Sequence, residues 1–448
     1  PLDQEGAVIR FTTDGSDPTS DSRLWSSSFP IQDDARIQRL IATPTSIQWR
    51  HPSGDFPKGA AVKAAVFDED GRRGPVSCIS TVPAMGALPV ISLVLPPGAL
   101  FDPDSGIYVT GDAMFRTQED AVRRFPDDQK WWKYPGNYSL RGKHWARSAD
   151  LAFFDSTGAE VFTSPVELRI NGNNTRGFAQ HALRVTFPEK TDFAFFGKDH
   201  GDHFRRILLR SSGNDQDRVF FRDQFQHALC EGMPFETAAG DQCVVFINGG
   251  YWGLHNLRER IDEQELARRY HIKPKKITIL ADRLELYRGS KKDVKRFSRL
   301  LTMSGKWPPA ALPDSLDKYM DLDGYLQYMA AQIILCNSDW PDQNGKWWRY
   351  TGDADTTKKC RDGRWYWIMG DSDLSFGLAT GPDYDMFTHV QVRTSPLARL
   401  FNNCMRSDAL RARFRGIVLA QLDGPLSAER MVRMAEAQRD RIQAEMPR

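Results

Sequence analysis

Two short stretches hold the residues best suited to chemistry. The first, NSDWPDQN at 337–344, sets Asp339 and Asn344 in the pattern D-x-x-x-x-N. A carboxylate there can take the proton of an attacking hydroxyl, and an amide oxygen can hold a hard cation. The second, GDSDLSFG at 370–377, places Asp371 and Asp373 at the end of the apolar run WYWIM. Carboxylates two apart on an extended chain point to the same side, so both are expected to face one Mg2+ or Mn2+ ion. No basic residue stands beside them in sequence, and acids at the end of a buried strand are costly unless neutralised. A metal bound to nucleotide phosphates would neutralise them.

These knots need scaffolds. Leu322, Tyr325, Leu326, Met329, Ile333 and Cys336 fall at helical spacing after Asp321-Leu322-Asp323, which predicts a buried helix over 321–336 ending where the first knot begins. Trp365–Met369 is predicted as a buried strand delivering the second knot. The D-x-x-x-x-N spacing is the one protein kinases use in their catalytic loop, where Asp accepts a hydroxyl proton and Asn holds a metal. The tryptophans at 340, 347, 348, 365 and 367 flank both knots, and core packing is expected of them before stacking on a base.

The rest of the chain narrows the classes. Its 448 residues imply two or three domains, and a net charge of +2 with interspersed signs argues against nucleic acid as a partner. No apolar stretch reaches the ~18 residues of a membrane span. The start at Pro1 is expected to be a trimmed one, with any targeting segment outside the chain. Six cysteines at 78, 230, 243, 336, 360 and 404 lack zinc-site spacing. Cys230 and Cys336 read as core residues, and a Cys230–Cys243 pair is left open. KDHGDHFRR (198–206) reads as a solvated turn before a metal site, and NGNNTRG (171–177) as a plain turn, since no Lys-Ser/Thr follows it. HExxH and GxSxG are absent from the sequence.

Alternation predicts strands in AVIRFTTDGSDPTS, AAVKAAVFDEDGRRGP and SCISTVPA, with TTDGSDPTS a tight turn before a calcium loop. VPAMGALPV (82–90) marks a domain boundary. Segment 113–148 reads as an insertion whose WWKYP packs on a neighbouring surface. Strands follow in DLAFFDSTG, SPVELRINGN, HALRVTFPE and RRILLRSS. A hairpin is predicted around NGG (248–250), and helices at about 216–230, 262–271, 290–303, 321–336 and 427–445. The class is α+β, with strands early and helices late.

Ile9–Thr19 with Val62–Phe67 resembles the chitobiase/beta-hexosaminidase C-terminal-type module. That implies an immunoglobulin-like antiparallel β-sandwich over 1–85, cut short at its first strand and without catalysis of its own. Five blocks over 88–415 resemble the CotH family: LPVISLVLPPGALFDPDSGIYVTG, ELRINGNNTRGFAQHALRVTFPE, FINGGYWGLHNLRERID, ILCNSDWPDQNGKWWR and WYWIMGDSDLSFG. The resemblance implies a protein-kinase-like domain over 88–448. It would use ATP and Mg2+ or Mn2+ to phosphorylate protein Ser or Thr, in an exported or cell-surface bacterial protein. It makes Asp339 the catalytic base, Asn344 a metal ligand, and Asp371, with Asp373 as the other option, the metal aspartate. Glu259 would orient a nucleotide-binding cation. The chain departs from the family pattern at Gln180-His181, where paired lysines are expected, so Arg184 or Arg176 would have to grip phosphate. The alternative is a catalytically weak pseudokinase acting in surface adhesion or in binding cell-wall or surface polysaccharide. Acceptor and oligomeric state are left open.

Overall fold

The computed structural model describes residues 6–27, 43–52, 55–112 and 131–446. The early alternating runs form strands β1 (Val8–Thr12), β2 (Arg23–Leu24), β3 (Ala60–Phe67) and β4 (Ser77–Thr81), an antiparallel sheet ordered β2-β1-β3-β4. The acidic turn TTDGSDPTS is turn chemistry, as expected: Asp14 Oδ1 accepts from the Ser16 amide at 2.9 Å, and Asp17 pairs with Lys63 at 3.0 Å. It is also a docking element. Gly15, at φ +87°, lies so close to the following domain that a Cβ there would sit 2.3 Å from the Leu95 carbonyl.

Seven strands then close into a barrel: β5 (Val90–Val94), β6 (Arg147–Phe154), β7 (Glu160–Ile170), β8 (Leu183–Thr186), β9 (Arg206–Arg210), β10 (Gly240–Ile247) and β11 (Gly250–Glu259). Their order is β10-β11-β9-β8-β7-β6-β5, with β5 and β10 paired in parallel and the other pairs antiparallel. Period-2 alternation divides the side chains. Leu93, Leu151, Leu168, Val185, Leu209 and Leu257 fill the inside, while Val244, Phe246 and Leu254 face out into a second core. The predicted NGG hairpin joins β10 to β11 with positive φ at both Asn248 and Gly249, as a two-residue hairpin turn requires.

Asn248 also fastens the two domains. Its amide donates to the carbonyls of Asp14 (3.0 Å) and Leu95 (2.8 Å), and the Gly59 amide donates to the Gly249 carbonyl at 2.9 Å. Lys63 reaches Asp150 on β6 at 2.8 Å.

The late half holds the main helices α1 (Arg222–Leu229), α2 (Glu263–Arg269), α3 (Lys291–Ser304), α4 (Leu322–Ile334), α5 (Pro396–Cys404), α6 (Asp408–Asp423) and α7 (Ala428–Ile442). They enclose a sheet ordered β13 (Glu285–Arg288), β12 (Ile277–Ala281), β14 (Lys346–Tyr350) and β15 (Tyr366–Ile368). The helix expected over 216–230 begins only at Arg222, because Ser212, Gly213 and Phe220 adopt positive φ and the Asp215 carboxylate takes the Arg222 amide. The sequence reading did not mark α5 or α6, although Ser395 caps α5 ahead of a proline at its first position.

Several smaller expectations resolve here. All six cysteines are free, with Cys243 inside the barrel and Cys230 in the outer core, so they do not pair. The five tryptophans at the knots are all buried in the core. His200 pairs with Glu231 at 3.1 Å, and among the described residues no group of three His, Cys, Asp or Glu side chains is placed to hold a metal. Part of the 113–148 segment lies outside the described residues; in the rest, Trp132 packs its backbone on Gly177.

Candidate active site

The two acidic knots meet. Helix α4 ends because Cys336 turns to φ +52°, and the chain then zips to the second knot. The Ser338 amide and hydroxyl both donate to the Leu374 carbonyl (3.1 and 2.8 Å), Asn337 Nδ2 donates to the Asp371 carbonyl (3.3 Å), and the Phe376 amide donates to the Leu335 carbonyl (3.0 Å). Trp340 explains its place in the loop: fully buried, it donates its indole N–H to Tyr328 at 2.9 Å, and His389 bonds its carbonyl at 3.0 Å. Gly370 is required at the crossing, since a Cβ there would lie 2.1 Å from the Asn344 carbonyl.

Asp339 is thereby held half-buried at the loop surface. Asn344 Nδ2 donates to its Oδ2 at 3.2 Å and Gln343 Nε2 to its Oδ1 at 3.1 Å. Asn344 sits at φ +60°, a left-handed position asparagine tolerates. Burial, reinforced by the nearby Asp371 carboxylate, raises the Asp339 pKa above the ordinary range. A carboxylate tuned upward is a better proton acceptor than a fully solvated one.

Asp371 and Asp373 do point the same way, and the basic partner absent from their sequence neighbourhood comes from a distant strand. Both face Arg210 of β9, whose Nη2 lies 2.9 Å from Asp371 Oδ1 and 3.7 Å from Asp373 Oδ2. Sequence adjacency could not reveal a partner more than a hundred residues away. Arg210 Nη1 is held in turn by Asp223 of α1 at 3.1 Å, and Arg258 of β11 pairs with the same carboxylate. Burial would lower the Arg210 guanidinium, but Asp223, Asp371 and Asp373 outweigh it and hold it charged. Burial likewise opposes the Asp223 charge, and Arg210 and Arg258 reverse that, holding its pKa low.

Asp373 lies deeper than Asp371. It accepts from the Asn214 amide at 3.0 Å and from Asn214 Nδ2 at 3.2 Å, while the Asp371 side chain is 35% exposed. Burial and the Asp371 charge push the Asp373 pKa up to about 7. The folded chain therefore keeps a proton that the unfolded chain releases in the ordinary carboxylate range, so this group's contribution to stability falls as pH rises from about 4 to about 7. Asp373→Asn is expected to flatten that slope in melting temperature; an unchanged slope would place the titrating proton elsewhere.

The second knot is clasped by α1, to which the sequence reading assigns no role. Asp223 Oδ1 accepts from the Ser372 amide at 3.0 Å, Gln226 donates to the Ser372 carbonyl at 2.7 Å, and Arg222 donates to the Ser375 carbonyl at 3.0 Å. His227 bridges the Gly370 carbonyl (3.0 Å) and the Ala238 amide (2.9 Å), and burial keeps it neutral with its pKa drawn down to about 3. Behind the first knot, the Asp282 amide bonds the Gly345 carbonyl at 2.8 Å. Polar residues at i, i+1, i+4 and i+5 of one short helix were the readable signal of a functional face.

The remaining candidates separate. Arg176 is spent on backbone carbonyls, those of Gly172 (2.8 Å), Tyr138 (2.7 Å) and Ile170 (2.5 Å), so it braces its own loop. Glu259 does orient cations, pairing with Arg268 at 2.8 Å and with Arg269, but both arginines also pair with Glu265 in a buried network on α2. Arg184 stands on the outer barrel face; burial first, then Arg260, Arg169 and Arg206, lower its pKa to about 10. Gln180 and His181 are engaged in structural bonds: Gln180 Nε2 donates to the Leu254 carbonyl at 3.1 Å, and His181 Nε2 bonds the Thr45 carbonyl at 3.1 Å.

Between the barrel and the helical half runs a cleft bounded by Leu208, Ile368 and Met369, with Arg210, Arg258, Arg260, Lys346 and Asp371 on its walls. Lys346, two residues after Asn344, places Nζ 4.7 Å from the centroid of the Tyr287 ring, and Arg260 donates to the Tyr287 hydroxyl at 2.6 Å. A strand arginine paired with a helix acid and with the aspartate of the second knot is an arrangement like that of the strand lysine, helix glutamate and loop aspartate of protein kinases.

No curated protein matches the chain. A family model described as Fn3 associated matches residues 2–80, in keeping with an N-terminal module of the chitobiase C-terminal-like kind. A second, described as CotH kinase protein, matches residues 168–448 and so takes in both acidic knots, the arginines of the cleft and helix α1. With well over half its length under that model, the chain belongs to the CotH kinase family.

Proposed function

We propose that the protein transfers the γ-phosphoryl group of ATP to a Ser or Thr hydroxyl of a protein acceptor, with Mg2+ or Mn2+ as the metal. The observation that carries the reading is the meeting of Asp339 and Asn344 with the second knot, whose Asp371 lines the cleft together with Arg210, Arg258 and Lys346. The donor set fits a hard divalent ion. Asn344 turns its Nδ2 to Asp339, leaving Oδ1 free to ligate, and Asp371 is the more exposed of the two knot carboxylates. Asp371 and Asp373 crowd Arg210, and the Asp339 carboxylate stands near enough for the Asp371 charge to act on it, so negative charge gathers where the knots meet and a divalent ion would balance it. Kinase-type sites hold the metal through one Asp, one Asn and the phosphates, and need no three-residue cage.

In this reading Asp339 accepts the acceptor hydroxyl's proton, with Asn344 and Gln343 fixing its orientation. Asn344 and Asp371 would hold the metal, and the chemistry it would supply is neutralisation of charge on the phosphates. Arg210 and Lys346 take the phosphate-gripping role expected of Arg176, while Arg184 stays a candidate on the adjoining barrel face. The Asp373 carboxylate stays beneath, setting the charge around Arg210. Placement outside the cell or on its surface is part of the same proposal.

The test is Mn2+- or Mg2+-dependent transfer from γ-labelled ATP to the protein itself and to a Ser-rich acceptor. Labelled protein supports the reading. No label and no metal-dependent ATP binding from folded protein overturns it in favour of a pseudokinase, which the structural use of Gln180 and His181 would suit.

A further inference from the structure

The loop 171–182, between β7 and β8, has one end at the acidic cluster and the other on the N-terminal module. Its stem is closed by the Asn171 amide donating to the Ala182 carbonyl at 2.7 Å. Its outer turn reaches the site: the Thr175 methyl lies 3.4 Å from the point where a Cβ on Gly213 would stand, and that point is 2.2 Å from Asp373 Oδ2 and 3.5 Å from Arg210 Nη2. Asn171 at the stem lines the cleft and accepts from Arg260 at 3.4 Å.

The far side of the same loop is tied to residues 43–52 of the module. Thr45 Oγ1 donates to the Ala179 carbonyl, and the Thr45 carbonyl is bonded by His181 Nε2 at 3.1 Å. A carbonyl only accepts, so this bond fixes His181 as the Nε2–H tautomer. The imidazole is fully buried between the rings of Tyr108 (4.3 Å between centroids) and Tyr138 (4.9 Å), and the Tyr108 hydroxyl bonds the His181 amide at 2.8 Å. Burial draws its pKa to about 3, so the tie does not open in the neutral range.

We propose that the N-terminal module is a working part of the active site: through Thr45 and His181 it positions loop 171–182 against Gly213, and so sets the geometry around Arg210 and Asp373. Thr45 and His181 are positioning residues in this account; neither lines the cleft beside Asp371. The module is then more than a tether, because the segment that docks it also holds the loop whose Thr175 abuts Gly213. The effect on nucleotide use rests on the kinase reading above, whereas the positioning itself does not.

The experiment is hydrogen–deuterium exchange on the full chain, comparing the parent protein with His181→Phe, Thr45→Val and Lys63→Met. Phenylalanine keeps an aromatic ring between the two tyrosines and removes the Nε2 donor, together with an Nδ1 that makes no hydrogen bond among the described residues. Thr45→Val removes the hydroxyl and keeps the carbonyl. Lys63→Met cuts a different module contact, the one to Asp150, away from the loop. Amides of 171–182 and 213–215 are expected to exchange roughly tenfold faster in His181→Phe, somewhat less so in Thr45→Val, and at parent rates in Lys63→Met. Faster exchange confined to 171–182, leaving 213–215 unchanged, would overturn the proposal, as would equal acceleration across the whole chain. In parallel, His181→Phe is expected to raise the KM for ATP several-fold with a smaller change in kcat. If the parent protein neither binds nor uses ATP, the functional reading fails, and the exchange of 213–215 still decides the positioning.

Discussion

Asp339→Asn is expected to lower transfer from ATP by roughly 10²–10⁴-fold, the range for losing a general base, with little change in melting temperature. The reason for the split lies in the contacts. Asp339 is half-buried and among the described residues its carboxylate receives the side-chain amides of Gln343 and Asn344 alone, while the loop itself is anchored by Trp340, Ser338 and Asn337. Asparagine keeps the shape and an acceptor oxygen but cannot take a proton. Single-turnover assays at saturating ATP would read the chemical step. Activity within a few-fold of the parent protein would remove Asp339 from the base role, and a large drop in melting temperature would show that its charge supports the fold instead.

Asp223→Ala is expected to act on stability, at about 3–5 kcal/mol, because it leaves Arg210 and Arg258 buried with their shared carboxylate removed. It also strips the Ser372 amide of its acceptor, releasing the second knot. Denaturant unfolding measures the loss. Since the folded-state pKa of Asp223 is depressed, its stabilisation is present above the ordinary carboxylate range and is lost as pH falls toward the folded value, so parent and variant should converge in acid. Asp371→Asn is the comparison: the side chain is one-third exposed and Arg210 keeps Asp223, so its cost should stay within about 1 kcal/mol. Equal costs for the two variants would contradict the ranking of burial on which the site description rests.

How much of this was legible in the chain depends on sequence distance. Helix α4, strand β15 and the NGG hairpin follow from local periodicity and turn chemistry, and the two knots were visible as acids at the ends of apolar runs. What stayed hidden was every partner set by tertiary pairing. Arg210 is 161 residues from Asp371, and its neighbourhood RRILLRSS reads as an ordinary strand. Helix α1 carried its polar face in plain view, yet polar residues on a short helix read as solvent-facing, whereas here Asp223, Gln226 and His227 are buried. NGNNTRG passed for a plain turn because its phosphate-loop signature is missing, although the fold sets Thr175 beside the acidic cluster. Of the two arginines that the family resemblance offered as phosphate anchors, Arg176 is committed to carbonyls, while the cleft draws its cations from the ends of β9 and β11 and the start of β14, which the resemblance did not point to.

The closed barrel has a mechanical consequence. An open sheet can shear or fan its edge strands, but a ring of seven hydrogen-bonded strands filled by close-packed side chains resists both. In the kinase reading, compliance for admitting a nucleotide would come from outside the ring, at the chain leaving β11 through Arg260–Asp262 and at the turn 212–221, where Ser212, Gly213 and Phe220 hold positive φ. Breathing of the fold would then be motion of these segments against a stiff cylinder, in the microsecond-to-millisecond range typical of hinge motions.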